Sequence, residues 1–459
     1  MKRRQFLKMT SLASLGALLP FSPRMKLFAA QDDYTGPLWL TINAVGGWDP
    51  SSFCDPKGYR GANDAYNPLR INNYNYTDIG TVGGFRFAPP PNDFQPGKRS
   101  YNPKLYSAEK FFTRHFQELF VINGIDCRTN AHSDGQLHTW GGRLIKGYPC
   151  FSALAAGVLA PERALAFLTN GGYSNTADLV PPTKIDSQNM QALFELAYAN
   201  RSVPPRSMDI RQYYPDNILS LIDASVAQRL GTLRSAQNLP NIKDSMARHA
   251  LSRTGAERLK GFANNLESFT AFPSSFFNGR KNAVSVYEQG RLAMAAYQAG
   301  VAASANISLG GFDTHVKHDE VHYPLLMDLL QGIDAILLQA QELGLSDRVV
   351  LVMGSDFGRM NRFNKDRGKD HWPIGSMMFI GNSRQRIRGN RVLGETTDTL
   401  DAIALDPVTL RPDYNGRNPA AVRLTPRHIH QALRRLAGIE SSAAAQRFPL
   451  MGEEIGLFN

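Results

Sequence analysis

The stretch "GGFDTHVKHDE" (310–320) sets Asp313 and His315 two residues apart, so in extended chain both side chains point to one side. A carboxylate and an imidazole on one side make half of the ligand shell of a zinc-like or manganese-like ion. Gly310 and Gly311, just ahead, let the backbone come close to a bound ion or anion. His318 and Asp319 either supply a third ligand or hold the first two in place. The alternative is a polar loop entering a helix, with Asp313 or Thr314 as its N-cap. A second pair lies in "RVVLVMGSDFGRMNRFNKDRGKDHWP" (348–373), where an apolar run ends at Asp356 and the chain returns with His371. Either Asp356 caps the strand ahead of a surface loop, or both side chains reach toward one ion.

Two further polar clusters could join them. Asp49 follows the apolar run in "GPLWLTINAVGGWDP" (36–50), and "NAHSDGQLHTWGG" (130–142) carries His132, Ser133 and His138 where a strand gives way to a helix. A helix amino terminus there can hold an anion. Ser133 is a candidate nucleophile whose pKa a nearby metal would lower, or simply the cap of that helix. Arg359 and Arg362 are either a clamp for an anionic substrate or exposed loop charges. The other histidines have structural readings. His115 and His249 face solvent on helices, His322 caps or packs, and His428 and His430 lie on different faces of one helix.

The elements that must position these groups are legible in the hydrophobic pattern. Strands are expected at 36–45, 118–126, 163–170, near 307, at 348–353 and at 376–382. Helices are expected at "SAEKFFTRHFQ" with Ser107 as N-cap, at "YPLLMDLLQGIDAILLQAQELG", and at "TPRHIHQALRRLAG", opened by Thr425 and Pro426. Residues 54–103, rich in Asn, Tyr, Gly and Pro, read as a long ordered loop or small hairpins. Residues 187–303 turn helical, with 205–280 as a helical insertion. Apolar strands alternating with amphipathic helices predict a mostly parallel α/β sheet covered on both faces. In such sheets ligands gather beyond the carboxyl ends of the strands, which is where Asp49, His132, Asp313 and Asp356 fall.

Bulk properties exclude several classes. The chain has 459 residues and a formal charge of +11. "MKRRQFLKMTSLASLGALLPFSPRMKLFAA" (1–30) has a basic start, a short apolar run and small residues near position 30, the layout of an export signal. Arg3-Arg4 with Gln5-Phe6-Leu7-Lys8 resembles the twin-arginine signature, and the run from Met9 to Pro20 is too short to span a bilayer. The mature chain is expected to be residues 31–459, without a transmembrane anchor. The signal holds six Lys/Arg and no Asp/Glu, so its removal takes +11 to +5, no footprint for nucleic acid. Cys54, Cys127 and Cys150 form no CxxC or CxxCH, which excludes a zinc ribbon or c-type haem. There is no GxGxxG or GxxxxGK[ST] phosphate loop.

The twin-arginine leader, "GGWD", "AHSDGQLHTWGG", "GGFDTH", "SDFGR" and "KDHWP", in this order, resemble domain-of-unknown-function family 1501 across residues 38–440. That family of exported bacterial proteins is grouped with the alkaline phosphatase and sulfatase clan. The resemblance implies a three-layer α/β/α sandwich, alkaline-phosphatase-like, with one or two divalent metals (zinc, manganese or calcium) at the strand ends. It further implies a periplasmic or secreted hydrolase, exported by the Tat machinery, acting on small-molecule or glycan esters of phosphate or sulfate. Asp49, Asp313, His315, Asp356 and His371 resemble the clan's metal ligands, with His318 a rival for His315. Departures point to another possibility. Phe357 stands where many clan enzymes have a ligating histidine, and no clear nucleophile segment is present. "CDPKG" (54–58) has Gly58 where the sulfatase motif needs arginine. A non-catalytic envelope binding or assembly protein on the same fold is the alternative.

Overall fold

The computed structural model describes residues 34–60, 71–92, 106–184, 211–239, 258–266, 268–381 and 387–458, with positions 198, 200, 201, 242, 243 and 246. The leader, His249 and, within the expected insertion at 205–280, residues 205–210, 240, 241, 244, 245, 247–257 and 267 lie outside the described residues. In chain order the elements are β1 (Leu38–Val45), β2 (Gly80–Val82), β3 (Phe85–Phe87), α1 (Ala108–His115), β4 (Leu119–Asp126), α2 (His132–Gly141), α3 (Phe151–Leu159), β5 (Phe167–Thr169) and β6 (Pro182–Lys184). They continue with α4 (Asp216–Ala236), α5 (Lys281–Gln298), β7 (Ser304–Gly310), α6 (His318–Glu342), β8 (Val349–Ser355), β9 (Gly358–Arg359), β10 (His371–Trp372), β11 (Ile374–Ile380), β12 (Arg391–Leu393), α7 (Pro426–Leu436) and α8 (Ala443–Arg447).

Among the described residues, eight strands form one sheet in the order β12-β4-β11-β8-β1-β7-β5-β6. β1 pairs in parallel with both β7 and β8, and β5 with both β6 and β7. β11 alone runs antiparallel, to β4 and to β8. The reason is local. The segment after β8 loops over the carboxyl end of the sheet, makes the small β9–β10 ladder, and re-enters from that same end. The loop therefore starts at Asp356 and ends at His371, one strand away from where it began.

Side chains alternate across the sheet with period two, and each face has its own core. Leu38, Leu40, Ile42 and Ala44 of β1, with Leu351 and Met353 of β8, pack against Phe111 and Phe112 of α1, Val286 of α5 and Leu326, Leu330 and Ile333 of α6. Trp39, Val350 and Val352 point the other way, onto Phe151 and Leu154 of α3 and Ile429 and Leu433 of α7. Burial on both faces demands near-continuous apolar strands, as "LWLTINAV" shows. The architecture is a three-layer α/β/α sandwich.

Details at element ends follow their caps. Ser107 accepts from Lys110 N to open α1, and Pro426 occupies the first turn of α7 behind Thr425. The Gly80–Phe87 hairpin is one of the small hairpins expected in 54–103. α6 begins at His318 rather than at Tyr323, taking Pro324 inside. His318 and His322 stack one turn apart, with ring centroids at 4.3 Å, and both bind Thr314 Oγ1. That clamp ties the first turn to the preceding loop. His115 does not face solvent as expected. It shares its face of α1 with Phe111, four residues earlier, and is buried against Asp334 Oδ1 at 2.8 Å.

Candidate metal centre

At the carboxyl edge of the sheet, the Gly46-Gly47 turn after β1 lets the loops after β7 and β8 close in. Gly46 has φ +117°, and a Cβ there would lie 2.5 Å from Asp313 N, so no other residue fits without moving that loop. Gly46 N donates to Asp356 Oδ2 at 3.0 Å, and Trp48 N donates to Ser355 Oγ at 2.8 Å. Arg359 sits beneath, donating to the carbonyls of Gly46, Gly47 and Lys369 and to Asp313 Oδ1, the last at 2.7 Å.

Above this floor, ligand-type atoms of His132, Asp313 and His371 lie within 4.8 Å of one another. Asp313 Oδ1 is 3.4 Å from His132 Nε2 and 3.1 Å from His371 Nε2. His315 Nε2 adds itself to one side, 3.0 Å from Asp313 Oδ1 and 2.9 Å from His371 Nε2. Donors sharing one tetrahedral zinc stand roughly 3.3 Å apart, given bonds of about 2.0–2.1 Å, so the spacing suits an ion.

Tautomers strengthen that fit. His132 Nδ1 faces Asp356 Oδ2 at 2.8 Å, His315 Nδ1 faces Asp370 Oδ1 at 2.7 Å, and His371 Nδ1 faces the Asn130 carbonyl at 2.7 Å. Each partner is an acceptor, so each Nδ1 carries a proton and Nε2 is the ring nitrogen turned to the centre. His132 Nε2 is buried without any hydrogen-bond partner, which is costly unless something positive meets it. A carboxylate or carbonyl behind each ligating histidine is the usual support of a metal centre. The four side chains are 22–46% exposed, open enough for a substrate.

Charges around the cluster are fixed by burial and by arginine. Burial pushes the Asp313 carboxyl up, but Arg359, with His371 and His315, outweighs it and the group falls to about 2. Burial raises Asp356, only partly offset by donation from His132, and burial also lowers Arg359. Donation from His315 holds Asp370 below the ordinary carboxylate range.

Of the residues expected at the site, the structure brings His132, Asp313, His315 and His371 together. Asp356 stands behind His132 and does not reach the centre itself. Asp49 and His318 are kept apart from the cluster. Asp49 is fully buried in an ion pair with Lys369 at 2.6 Å, and His318 Nε2 contacts the same carboxylate at 3.1 Å. Arg359 is fully buried and committed to Asp313 and three carbonyls, so it is not free to clamp a substrate. Arg362 is exposed on the loop. Ser133 is exposed in the first turn of α2, and it is not the cap, which is Ala131. His138 is buried, bound to the Cys127 carbonyl at 2.8 Å. Phe357 packs its ring against His132 and His371, with centroids at 4.8 and 4.7 Å; it forms an apolar wall of the centre.

Sequence reasoning missed Asp370, Lys369, Asn72 and the Asn130 carbonyl. Asp370 had a signal, a carboxylate adjacent to a candidate ligand in "KDHWP". The others had none.

Residues 114–413 match the family described as Protein of unknown function (DUF1501). The chain belongs to this family. No curated protein matches the DUF1501 chain. Among solved structures it is similar to Ps i-CgsB, at 9% identity and TM-score 0.39, covering 92% of this chain and 76% of that one. A protein from a glycosaminoglycan-metabolism locus of Bacteroides thetaiotaomicron has 8% identity, TM-score 0.36 and coverage of 91% and 75%. The phosphonate monoester hydrolase of Agrobacterium radiobacter has 10% identity, TM-score 0.31 and coverage of 78% and 70%.

Proposed function

We propose that this protein is an exported, metal-dependent hydrolase of phosphate or sulfate esters. One observation carries the metal: three imidazoles, each with Nδ1 tied to an acceptor, turn Nε2 toward the Asp313 carboxylate, and one of those nitrogens is buried without a partner. His132, Asp313 and His371 would hold the ion, with His315 the next donor. Imidazole-rich sets suit zinc better than manganese or calcium. The ester class comes from the resemblance to the phosphatase and sulfatase clan. Export through the Tat machinery to the periplasm comes from the leader.

When bound, a divalent ion supplies Lewis-acid polarisation of the ester oxygen and a water of lowered pKa. The protein's own contribution is orientation. Asp356, Asp370 and the Asn130 carbonyl hold the three rings, and Arg359 holds Asp313 in its anionic form. Phe357 keeps water from one wall. α2 begins beside the cluster with Ala131 as N-cap and no side-chain cap bond. Its first-turn N–H groups are therefore left for an anion, favoured by the helix dipole.

Metal content of the purified protein, measured before and after Asp313→Ala and His371→Ala, tests the centre. Bound metal that falls in both variants is expected; none in the wild type would remove the basis for hydrolysis. Turnover of aryl phosphates and sulfates then separates catalysis from the second reading, an envelope binding or assembly protein. That reading is favoured by Phe357 standing against His132 and His371 where the resemblance implies a ligating histidine, and metal retained with no turnover on a broad ester panel would support it.

A further inference from the structure

Lys369 lies two residues before His371 and points away from the cluster, into the space beside Asp49. An ammonium has three N–H groups, and three oxygens meet this one: Asp49 Oδ2 at 2.6 Å, Asn72 Oδ1 at 2.8 Å and Ser51 Oγ at 3.4 Å. The Phe363 ring stands 5.1 Å away. Lys369, Asp49 and Ser51 are fully buried, and Asn72 nearly so. The rest of the Asp49 carboxylate is also engaged. Oδ1 accepts from Ser51 N at 2.9 Å and Ser51 Oγ at 2.6 Å, while Oδ2 accepts from Ser52 Oγ at 3.1 Å and faces His318 Nε2 at 3.1 Å. Carboxylate, amide and hydroxyl oxygens with an imidazole at the edge are the donors of a hard-to-borderline metal site, and here they surround a nitrogen. A divalent ion could enter only by displacing it.

We infer that Lys369 is a built-in cation in place of a second metal ion beside Asp49, so that the centre takes a single ion, and that shortening Lys369 opens a divalent-cation site made by Asp49, Asn72, Ser51 and His318. The count of one ion rests on the histidine cluster being an ion site; the lysine cage stands independently of it.

Wild type, Lys369→Ala and Lys369→Ala/Asp49→Ala are loaded with excess zinc, dialysed and assayed for zinc per chain by mass spectrometry. Expected values are about one, about two and about one. Two zinc ions in the wild type, or no gain in Lys369→Ala, would overturn the inference. No zinc in the wild type but about one in Lys369→Ala, lost with Asp49, would sink the cluster reading and leave the lysine inference intact. Should Lys369→Ala fail to fold, the pair is tested by melting of Lys369→Met, Asp49→Asn and their double variant. A double variant that melts above both single variants is expected, since neither charge is then buried alone; one that melts no higher than the worse single overturns the pairing.

Discussion

His132 Nδ1 stands 2.8 Å from Oδ2 of Asp356, a fully buried carboxylate 224 residues further along the chain. That contact fixes the tautomer of His132 and aims its Nε2 at Asp313. Asp356→Asn keeps the shape but removes the charge that makes the imidazole a better donor. Zinc affinity is expected to fall about 10–100-fold, read by chelator competition, with the circular dichroism spectrum unchanged. Unaltered affinity would show that Asp356 has no hand in orienting the ligand.

Gly46 tests the close approach of β1 to the Asp313 loop. Gly46→Ala meets both a φ of +117° and an atom 2.5 Å from its new methyl. It should cost about 1–3 kcal/mol and weaken zinc binding. Gly344→Ala is the control: φ is +67° and nothing lies within 4 Å, so it should bring strain of about 1 kcal/mol without touching zinc. Urea midpoints and zinc content of the two variants check this, and equal zinc loss in both would refute it.

Asp334 is fully buried and binds His115 at 2.8 Å and Arg114 on α1. Removing one partner of a buried pair is strongly destabilising. Arg114 is about one-third exposed, which places Asp334→Ala near the low end, about 3 kcal/mol. Thermal melting should show the loss while zinc per chain stays at the wild-type level, because this pair lies on α1 and α6, away from the cluster. A variant that melts like wild type would contradict the reading.

Burial lowers His138, His318, His322 and His428, and His430 falls to about 3. A histidine held below its ordinary value takes up fewer protons folded than unfolded. Stability therefore declines as pH drops below about 6.5. At pH 5, His430 alone accounts for about 2 kcal/mol. Carboxylates held low, Asp49 and Asp334, add a second loss as pH falls below about 3.9 toward their folded values. The urea midpoint measured between pH 7.5 and 3 should fall in two stages; a midpoint flat from pH 7.5 to 5 would be inconsistent with buried neutral histidines.

The strands and helices were legible because period two and period 3.6 are local properties. "LWLTINAV" and "RVVLVMG" had to be buried on both faces, and "SAEKFFTRH" had to cap at Ser107. Asp313, His315 and His371 were legible as ligand-type residues, because carboxylates and imidazoles at strand ends have few other uses in that number. Which of them share a point in space was not legible. Asp49 and Lys369 are 320 residues apart, and nothing in "GGWDP" or "DRGKDHWP" says that an ammonium would lie against that carboxylate. Arg359 read as a surface clamp because sequence carries no record of depth, and its burial follows from the Gly46-Gly47 turn offering it two carbonyls. Local chemistry thus named the candidates, whereas sorting them into ligands, orienting groups and fixed counter-charges needed the sheet order, because pairing energies depend on distances and desolvation that only the folded chain sets.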